Sequence, residues 1–165
     1  FGVDFNPVAD RLRIVSNTGQ SLRINVDTGA TTTDGAINRA GAAPAVTAAA
    51  YTNSFAGAAA TMLFDIDTAS ASLALQNPPN DGTLATVGAG ALGVAVAGDV
   101  GFDIAGGANG LALAALRTAA GGPSALYRID LATGAAVLSG GAATPAASAI
   151  GNGTVGLTDI AIALK

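Results

Sequence analysis

Apolar and polar residues alternate over several short stretches of the chain, which is the periodicity of β-strands. Strand candidates of this kind occupy residues 2–5, 11–16, 46–51, 101–106 and 110–116. The alanine-rich stretch 40–50 would favour a helix on its own, but Gly41, Pro44 and Val46 interrupt it, so we expect it to be extended. The pattern predicts an all-β protein.

Three segments share one hairpin pattern. LRINVDTGATT begins at Leu22, MLFDIDTASASL at Met62 and LYRIDLATGAAVL at Leu126. Each has an alternating apolar strand, a turn rich in Asp and Thr, and a second short strand. Asp and Thr side chains can bond nearby backbone amides, and Gly29 and Gly134 can adopt the positive φ that closes a tight turn.

The spacing of these hairpins predicts blade-like repeats. Val26 and Ile66 lie 66 − 26 = 40 residues apart, whereas Ile66 and Leu131 lie 131 − 66 = 65 apart, so an insertion is expected at residues 77–93. About 40 residues is the length of a four-stranded propeller blade. Residues 55–61 complete the middle repeat as a weak strand. We predict one β-propeller-like domain over residues 1–165, with repeats at about 1–40, 41–84 and 94–145 and a closing strand at 155–164.

Several blocks carry a resemblance to a known family. GVDFNPVADRLRIVSNTGQSLRINVDTGA, AVTAAAYTNSFAG, LFDIDT and LYRIDLATGAA together resemble a bacterial family of domains of unknown function. The resemblance covers nearly the whole chain and implies a secreted, β-propeller-like protein with no established activity. Members usually have further blade-like repeats before GVDFNP, whereas this chain begins there.

Three blades and one strand would leave unpaired sheet edges. We therefore expect a partial propeller completed by another copy, or a fragment of a longer polypeptide. A start at Phe1 without an initiator Met indicates a processing site or an internal boundary. A closed small sandwich or an open arc is the alternative.

Composition narrows the class of protein. Only 11% of the residues are charged and 50% are apolar, which disfavours disorder and suits an extracellular or periplasmic protein. The seven Lys and Arg residues are scattered and the net charge is −4, so nucleic acid is not an expected partner. No apolar run is long enough for a transmembrane helix.

The chain has no His and no Cys, which excludes Ser-His-Asp and Cys-His catalysis and the usual zinc sites. All acidic residues are Asp. Asp4, Asp103 and Asp159 occupy equivalent places in GVDF, GFDI and GLTDI, on strands that would line a propeller axis. They either bind a cation or polar ligand there, or bond the backbone of the adjoining blade as a repeated lock.

Asp65 and Asp67 are weak candidates for calcium, since residues i and i+2 of a strand share one face. The residues that follow do not continue a helical calcium loop, so use of these residues in a hairpin is the simpler interpretation. Arg11, Arg13 and Arg23 could clamp an anion, but a solvated strand face explains them more simply.

We expect a non-catalytic extracellular module that is structural or binds other proteins. Its expected partners are copies of itself or other envelope proteins, and no cofactor is expected. A ligand- or cation-binding propeller, or an enzyme, using the axial aspartates is the alternative.

Overall fold

In the computed structural model, which describes residues 1–107, 110–153 and 155–163, the chain forms three four-stranded antiparallel sheets. Sheet 1 consists of β1 (Gly2–Asn6), β2 (Arg11–Val15), β3 (Ser21–Ile24) and β4 (Thr31–Thr33). Sheet 2 consists of β5 (Val46–Tyr51), β6 (Leu63–Asp67), β7 (Ser72–Gln76) and β8 (Leu84–Thr86). Sheet 3 consists of β9 (Gly101–Ile104), β10 (Ala112–Leu116), β11 (Ala125–Ile129) and β12 (Ala136–Leu138).

Strands that follow one another along the chain are neighbours in every sheet. The helical elements of the described residues are short 3₁₀ helices, at Pro79–Asp81, Ser139–Gly141 and Pro145–Ser148, which confirms the all-β prediction. Within the same residues, no helix has the length and apolar character needed to cross a membrane. The first strands of the sheets pack side by side, β1 against β5 and β5 against β9.

The turns after β3 and β11 have the same geometry, as their sequences predict. Gly29 N donates to Asn25 O and Gly134 N to Asp130 O, both at 2.8 Å. The two glycines have φ of 72° and 78°. The side chains of Asn25 and Asp130 each accept two backbone N–H bonds within the turn. Each of the two turns joins the third and fourth strands of its sheet, β3 to β4 and β11 to β12.

Sheet 2 differs from the prediction. The segment MLFDIDTASASL forms β6 and β7, which are the second and third strands of sheet 2. Residues 55–61 are not a strand; they lie in a loop closed by the bond from Thr52 N to Met62 O at 2.9 Å. The fourth strand, β8, lies in the stretch 77–93 that was predicted to be an insertion. A run of small residues with Gly57 at φ 81° offers little side-chain area for strand pairing, which explains the loop.

The C-terminal segment, residues 155–163, carries the predicted closing strand. No strand is assigned to it, and residue 164 lies outside the described residues. It nevertheless packs against β9, because Ile162 N donates to Asp103 Oδ2. Leu157 N also donates to Ser124 Oγ, just before β11.

The interior has two parts that differ in chemistry. Between sheets 2 and 3 the buried side chains are apolar, and Phe64, Ile66, Phe102 and Tyr127 are among the largest of them. Between sheets 1 and 2 a smaller apolar cluster shares the interior with buried charged side chains, of which Arg13 is one. The candidate residues lie around this second region and along the first strands.

Candidate functional site

Asp4 and Asp103 stand in equivalent positions on the first strands of sheets 1 and 3. Asp4 Oδ1 accepts a bond from Phe5 N at 2.7 Å, and its Oδ2 accepts one from Tyr51 N on β5 at 2.5 Å. Asp103 Oδ1 accepts a bond from Ile104 N at 2.8 Å, and its Oδ2 accepts one from Ile162 N at 2.5 Å. The Asp4 carboxylate therefore joins β1 to β5, and the Asp103 carboxylate joins β9 to the C-terminal segment. We call each of these two carboxylates, with its two backbone bonds, an inter-sheet latch.

A glycine two residues before each latch lets the two backbones approach closely. A Cβ built on Gly2 would lie 2.5 Å from Ala49 N, and one on Gly101 would lie 2.7 Å from the carbonyl carbon of Asp159. Neither approach leaves room for a side chain. The C-terminal segment thus contacts β9 as β5 contacts β1.

Asp159 has only half of this arrangement. Its Oδ1 accepts a bond from Ile160 N at 2.9 Å, but among the described residues no donor from a following strand reaches its Oδ2. Burial raises the pKa of Asp159, with an added contribution from Asp103, while its own backbone bond and the N-terminal amine of Phe1 act in the opposite direction. The side chain is exposed.

The three aspartates are close enough to affect one another. Burial raises the pKa of Asp4 to about 6, the bonds from Tyr51 N and Phe5 N oppose the shift, and the charges of Asp103 and Asp159 add to it. Nevertheless, no group of three or more Asp residues in the part of the chain that the structure describes is arranged to hold a metal ion. At this place the oxygens of Asp4 and Asp103 already accept protein N–H bonds.

Asp67 lies at the end of β6 and is almost fully buried. Its Oδ1 accepts bonds from Ala45 N and Ala69 N at 2.8 and 3.1 Å. Its Oδ2 accepts bonds from Arg39 Nη1 and Ser70 Oγ at 2.9 and 2.6 Å. These donors occupy the lone pairs that a cation would need.

Asp65, two residues earlier on the same face of β6, is fully buried, and neither carboxylate oxygen has a hydrogen-bond partner among the residues that the structure describes. Burial raises its pKa to about 8, although the positive charges of Arg13 and Arg39 oppose the shift. The positive charges of Arg13 and Arg39 would repel a cation at this place. Asp65 and Asp67 therefore fit a structural role in the interior better than a calcium site.

Arg13 is the most consequential residue that sequence reasoning misplaced, because the prediction assigned it to a solvated face. Its side chain is 1% exposed and points toward sheet 2. The guanidinium donates to Asp34 Oδ2, Asn80 Oδ1 and Ser21 Oγ at 2.5, 2.8 and 2.9 Å, and to the Tyr51 hydroxyl at 3.2 Å. Arg23, which is partly exposed, binds the same Asp34 carboxylate at 2.6 and 2.8 Å. No anion is needed to neutralise Arg13.

The opposite face of sheet 1 is open, and it is apolar on β1, β2 and β3, whereas β4 adds Thr31 and Thr33. Cross-strand pairing aligns Val3 with Ile14 and Leu22, and Phe5 with Leu12 and Ile24. Paired residues of adjacent strands lie on one face of a sheet. We call these six side chains the open face of sheet 1. Val3 and Phe5 are 40% and 47% exposed, and the other four are partly exposed.

Comparison with protein-family models matches residues 1–151 to a family described as a domain of unknown function (DUF4394). The match spans all three sheets, including the strands that carry Asp4 and Asp103, and stops before Asp159. Comparisons with curated proteins and with solved structures gave no match.

Proposed function

Because the chain belongs to this family of domains of unknown function (DUF4394), whose description assigns no activity, we propose a role from the geometry: a non-catalytic, propeller-like module that is structural or binds other proteins. In this proposal sheets 1 to 3 are successive blades around one axis. The C-terminal segment is the innermost strand of a further blade, which another copy or more of the same polypeptide completes.

The propeller-like arrangement is supported by the contacts between first strands. β1 packs on β5 and β5 on β9, as the innermost strands of neighbouring blades do. The glycine approach and the inter-sheet latch join β1 to β5, from Gly2 and Asp4, and with the same spacing join β9 to the C-terminal segment, from Gly101 and Asp103. A repeated inter-blade contact is the expected product of a repeated sequence.

The observation that carries the non-catalytic role is the use of both oxygens of Asp4 and Asp103 by backbone N–H groups. A general acid or base must present an oxygen to substrate, and these two present theirs to the chain. Two further buried carboxylates, Asp34 and Asp67, bind arginine. These four carboxylates thus have structural partners.

A secreted or periplasmic location in bacteria is part of the proposal, with copies of the chain or other envelope proteins as partners. It is supported by the low share of charged residues, 11%, and by the many small and polar residues that must cover the surface. Fractionation of cells that express the natural precursor tests it: recovery only from the cytoplasm would contradict it.

A second candidate function is cation binding at the three axial aspartates. It is favoured by the mutual electrostatic effect of Asp4, Asp103 and Asp159, and by the Oδ2 of Asp159, which accepts no hydrogen bond within the described part of the chain.

The two functions predict different effects of Asp4→Asn, Asp103→Asn and Asp159→Asn. If the carboxylates are latches, the first two variants each lose about 1–3 kcal/mol of unfolding free energy, because an Asn side chain has one acceptor oxygen and leaves one of the two backbone N–H groups without its partner. Asp159→Asn, the matched control, changes stability by less than about 0.5 kcal/mol. Urea unfolding of Asp4→Asn should be compared below and above pH 6, because the raised Asp4 pKa of about 6 means that charging Asp4 costs stability, which offsets part of this loss at the higher pH.

The same measurements should be repeated with calcium chloride. Unchanged midpoints in wild type and variants are expected. A calcium-dependent stabilisation of the wild type that all three variants lose would favour the cation site and overturn the latch assignment.

A further inference from the structure

In the proposed arrangement a gap lies between sheet 3 and sheet 1, and the C-terminal segment occupies only its inner end. Residues 155–163 contact β9 through the bond from Ile162 N to Asp103 Oδ2. Among the described residues, this segment makes no strand-to-strand hydrogen bond. An unpaired backbone edge is a template for strand addition, so the segment can accept a strand on its outer side.

The two walls of this gap differ in chemistry. One wall is the open face of sheet 1, whose six side chains are apolar. The other wall is the face of sheet 3 on which Asp103, Leu113, Arg128 and Val137 lie in register across the four strands. Arg128 and Val137 are exposed there. A strand in the gap must therefore present apolar side chains to one wall and an acceptor for a guanidinium to the other.

Arg128 holds the place in sheet 3 that Arg23 holds in sheet 1. Each lies on the third strand of its sheet, in register with the latch aspartate of the first strand, Asp4 or Asp103. Arg23 Nε binds the Asp34 carboxylate at 2.6 Å. A carboxylate is the acceptor that a guanidinium binds most strongly, so the matching place in sheet 3 favours an acidic partner.

Sheet 2 already lies between walls of the same two kinds. On one side of β6, Asp65 and Asp67 lie toward sheet 1, where the charge of Arg13 acts on Asp65. On its other side, Phe64 and Ile66 pack in the apolar cluster shared with sheet 3. The sequence of β6 thus alternates apolar and acidic residues because its two neighbours differ. A strand of the same kind fits between sheet 3 and sheet 1.

We infer that the gap binds a β-strand of alternating apolar and acidic residues, which pairs with the outer edge of residues 155–163. Its apolar side packs on the open face of sheet 1, and a carboxylate on its other side binds Arg128. The inference rests on the proposed function, because it assigns the side-chain chemistry of the further blade. A second copy cannot lend its own β6, because every residue of that strand is buried between its sheets.

The probe is a fluorescently labelled peptide with the sequence of residues 62–76, MLFDIDTASASLALQ, which contains β6 and β7. Titration with the purified chain, followed by fluorescence anisotropy, should show saturable binding. Phe5→Lys in the chain should weaken binding about tenfold or more, because it places a charge in the apolar contact. Met62→Lys is the matched control: Met62 is 51% exposed and lies outside both walls, so this variant should bind as the wild type does.

Charge reversal tests the second wall. Arg128→Glu should weaken binding of the same peptide about tenfold, because the glutamate meets the peptide carboxylates. A peptide with Asp65→Lys and Asp67→Lys should bind Arg128→Glu more tightly than it binds the wild type. Equal binding of both peptides to both chains would mean that Arg128 does not contact the strand, and this result overturns the inference.

Circular dichroism establishes that each variant is folded, and Phe5→Ser replaces Phe5→Lys if the lysine variant is not. A wild type that binds no peptide overturns the inference, as does a folded Phe5 variant that binds as the wild type does. Self-association of the wild type that Phe5→Lys abolishes and the peptide does not disturb would assign the open face of sheet 1 to a second copy instead. None of these results affects the latch assignment, which depends on the stability of Asp4→Asn and Asp103→Asn. Failure of strand binding and failure of the proposed function are thus separable.

Discussion

Replacing Arg13 by Ala should be the most destabilising change at the contact between sheets 1 and 2. The guanidinium is buried and makes side-chain bonds to Asp34, Asn80, Ser21 and Tyr51. Its removal leaves the Asp34 carboxylate, whose side chain is 4% exposed, with Arg23 as its one ionic partner among the described residues. Breaking a buried ion pair from one side costs about 3–5 kcal/mol.

For a chain of this size, each kcal/mol lowers the melting temperature by about 2–4 °C, so Arg13→Ala should lower it by roughly 6–20 °C. Arg11→Ala is the control, since Arg11 lies on the same strand and face. Within the described residues, the Arg11 guanidinium donates to the carbonyl oxygens of Ala9 and Asp10 in the adjacent turn and to no other group. Its loss should cost less than about 0.5 kcal/mol.

The assay is thermal and urea unfolding followed by circular dichroism near neutral pH. If the two arginine variants lose stability equally, or if Arg13→Ala loses less than about 1 kcal/mol, Arg13 does not hold the sheets together. The partly exposed Arg23 would then be sufficient for Asp34.

Two further predictions concern buried positions. Burial raises the pKa of Asp65 to about 8, so the folded state favours the protonated acid and loses stability as pH rises from the ordinary value of 3.8 to about 8. Asp65→Asn should remove that loss. If the free energy of unfolding, measured with urea, falls with pH equally in wild type and Asp65→Asn, the prediction is wrong. Gly101→Ala should force the C-terminal segment away from β9, at a cost of about 1–3 kcal/mol, and speed hydrogen exchange at Ile162 N. Gly156→Ala, whose nearest contacts would be the end of the flexible Arg117 side chain at 3.3–3.4 Å, should leave that exchange unchanged.

The strands could be predicted where alternation is strong, and β5 was predicted with the bounds that the structure gives it, Val46–Tyr51. The position of a hairpin within its sheet could not. Turns rich in Asp and Thr depend on local hydrogen bonds from their side chains. These bonds form as well between the second and third strands of a sheet as between the third and fourth. Asp67 illustrates this, because it caps the β6–β7 turn through Ala69 N while also binding Ala45 N from a distant part of the chain.

The equivalence of Asp4 and Asp103 was visible in the sequence because both follow a glycine on a short strand. Their partners were not, since Tyr51 N and Ile162 N lie 47 and 59 residues away. Backbone donors also leave no mark on the sequence. A repeated carboxylate therefore indicates that a repeated contact exists, but the structure is needed to distinguish a lock from a ligand site.

Alternation also divides a strand into two faces without saying which one is buried. In β2 the usual rule would turn Leu12 and Ile14 inward and Arg13 outward, whereas the structure does the reverse. Asp34 and Asn80, which make this possible, come from other parts of the chain and satisfy the guanidinium across the sheet contact. Such an inversion gains stability if the apolar face is also removed from water. The buried Arg13 and the open face of sheet 1 are thus two consequences of one arrangement, and in our proposal the further blade supplies the cover that the second of them lacks.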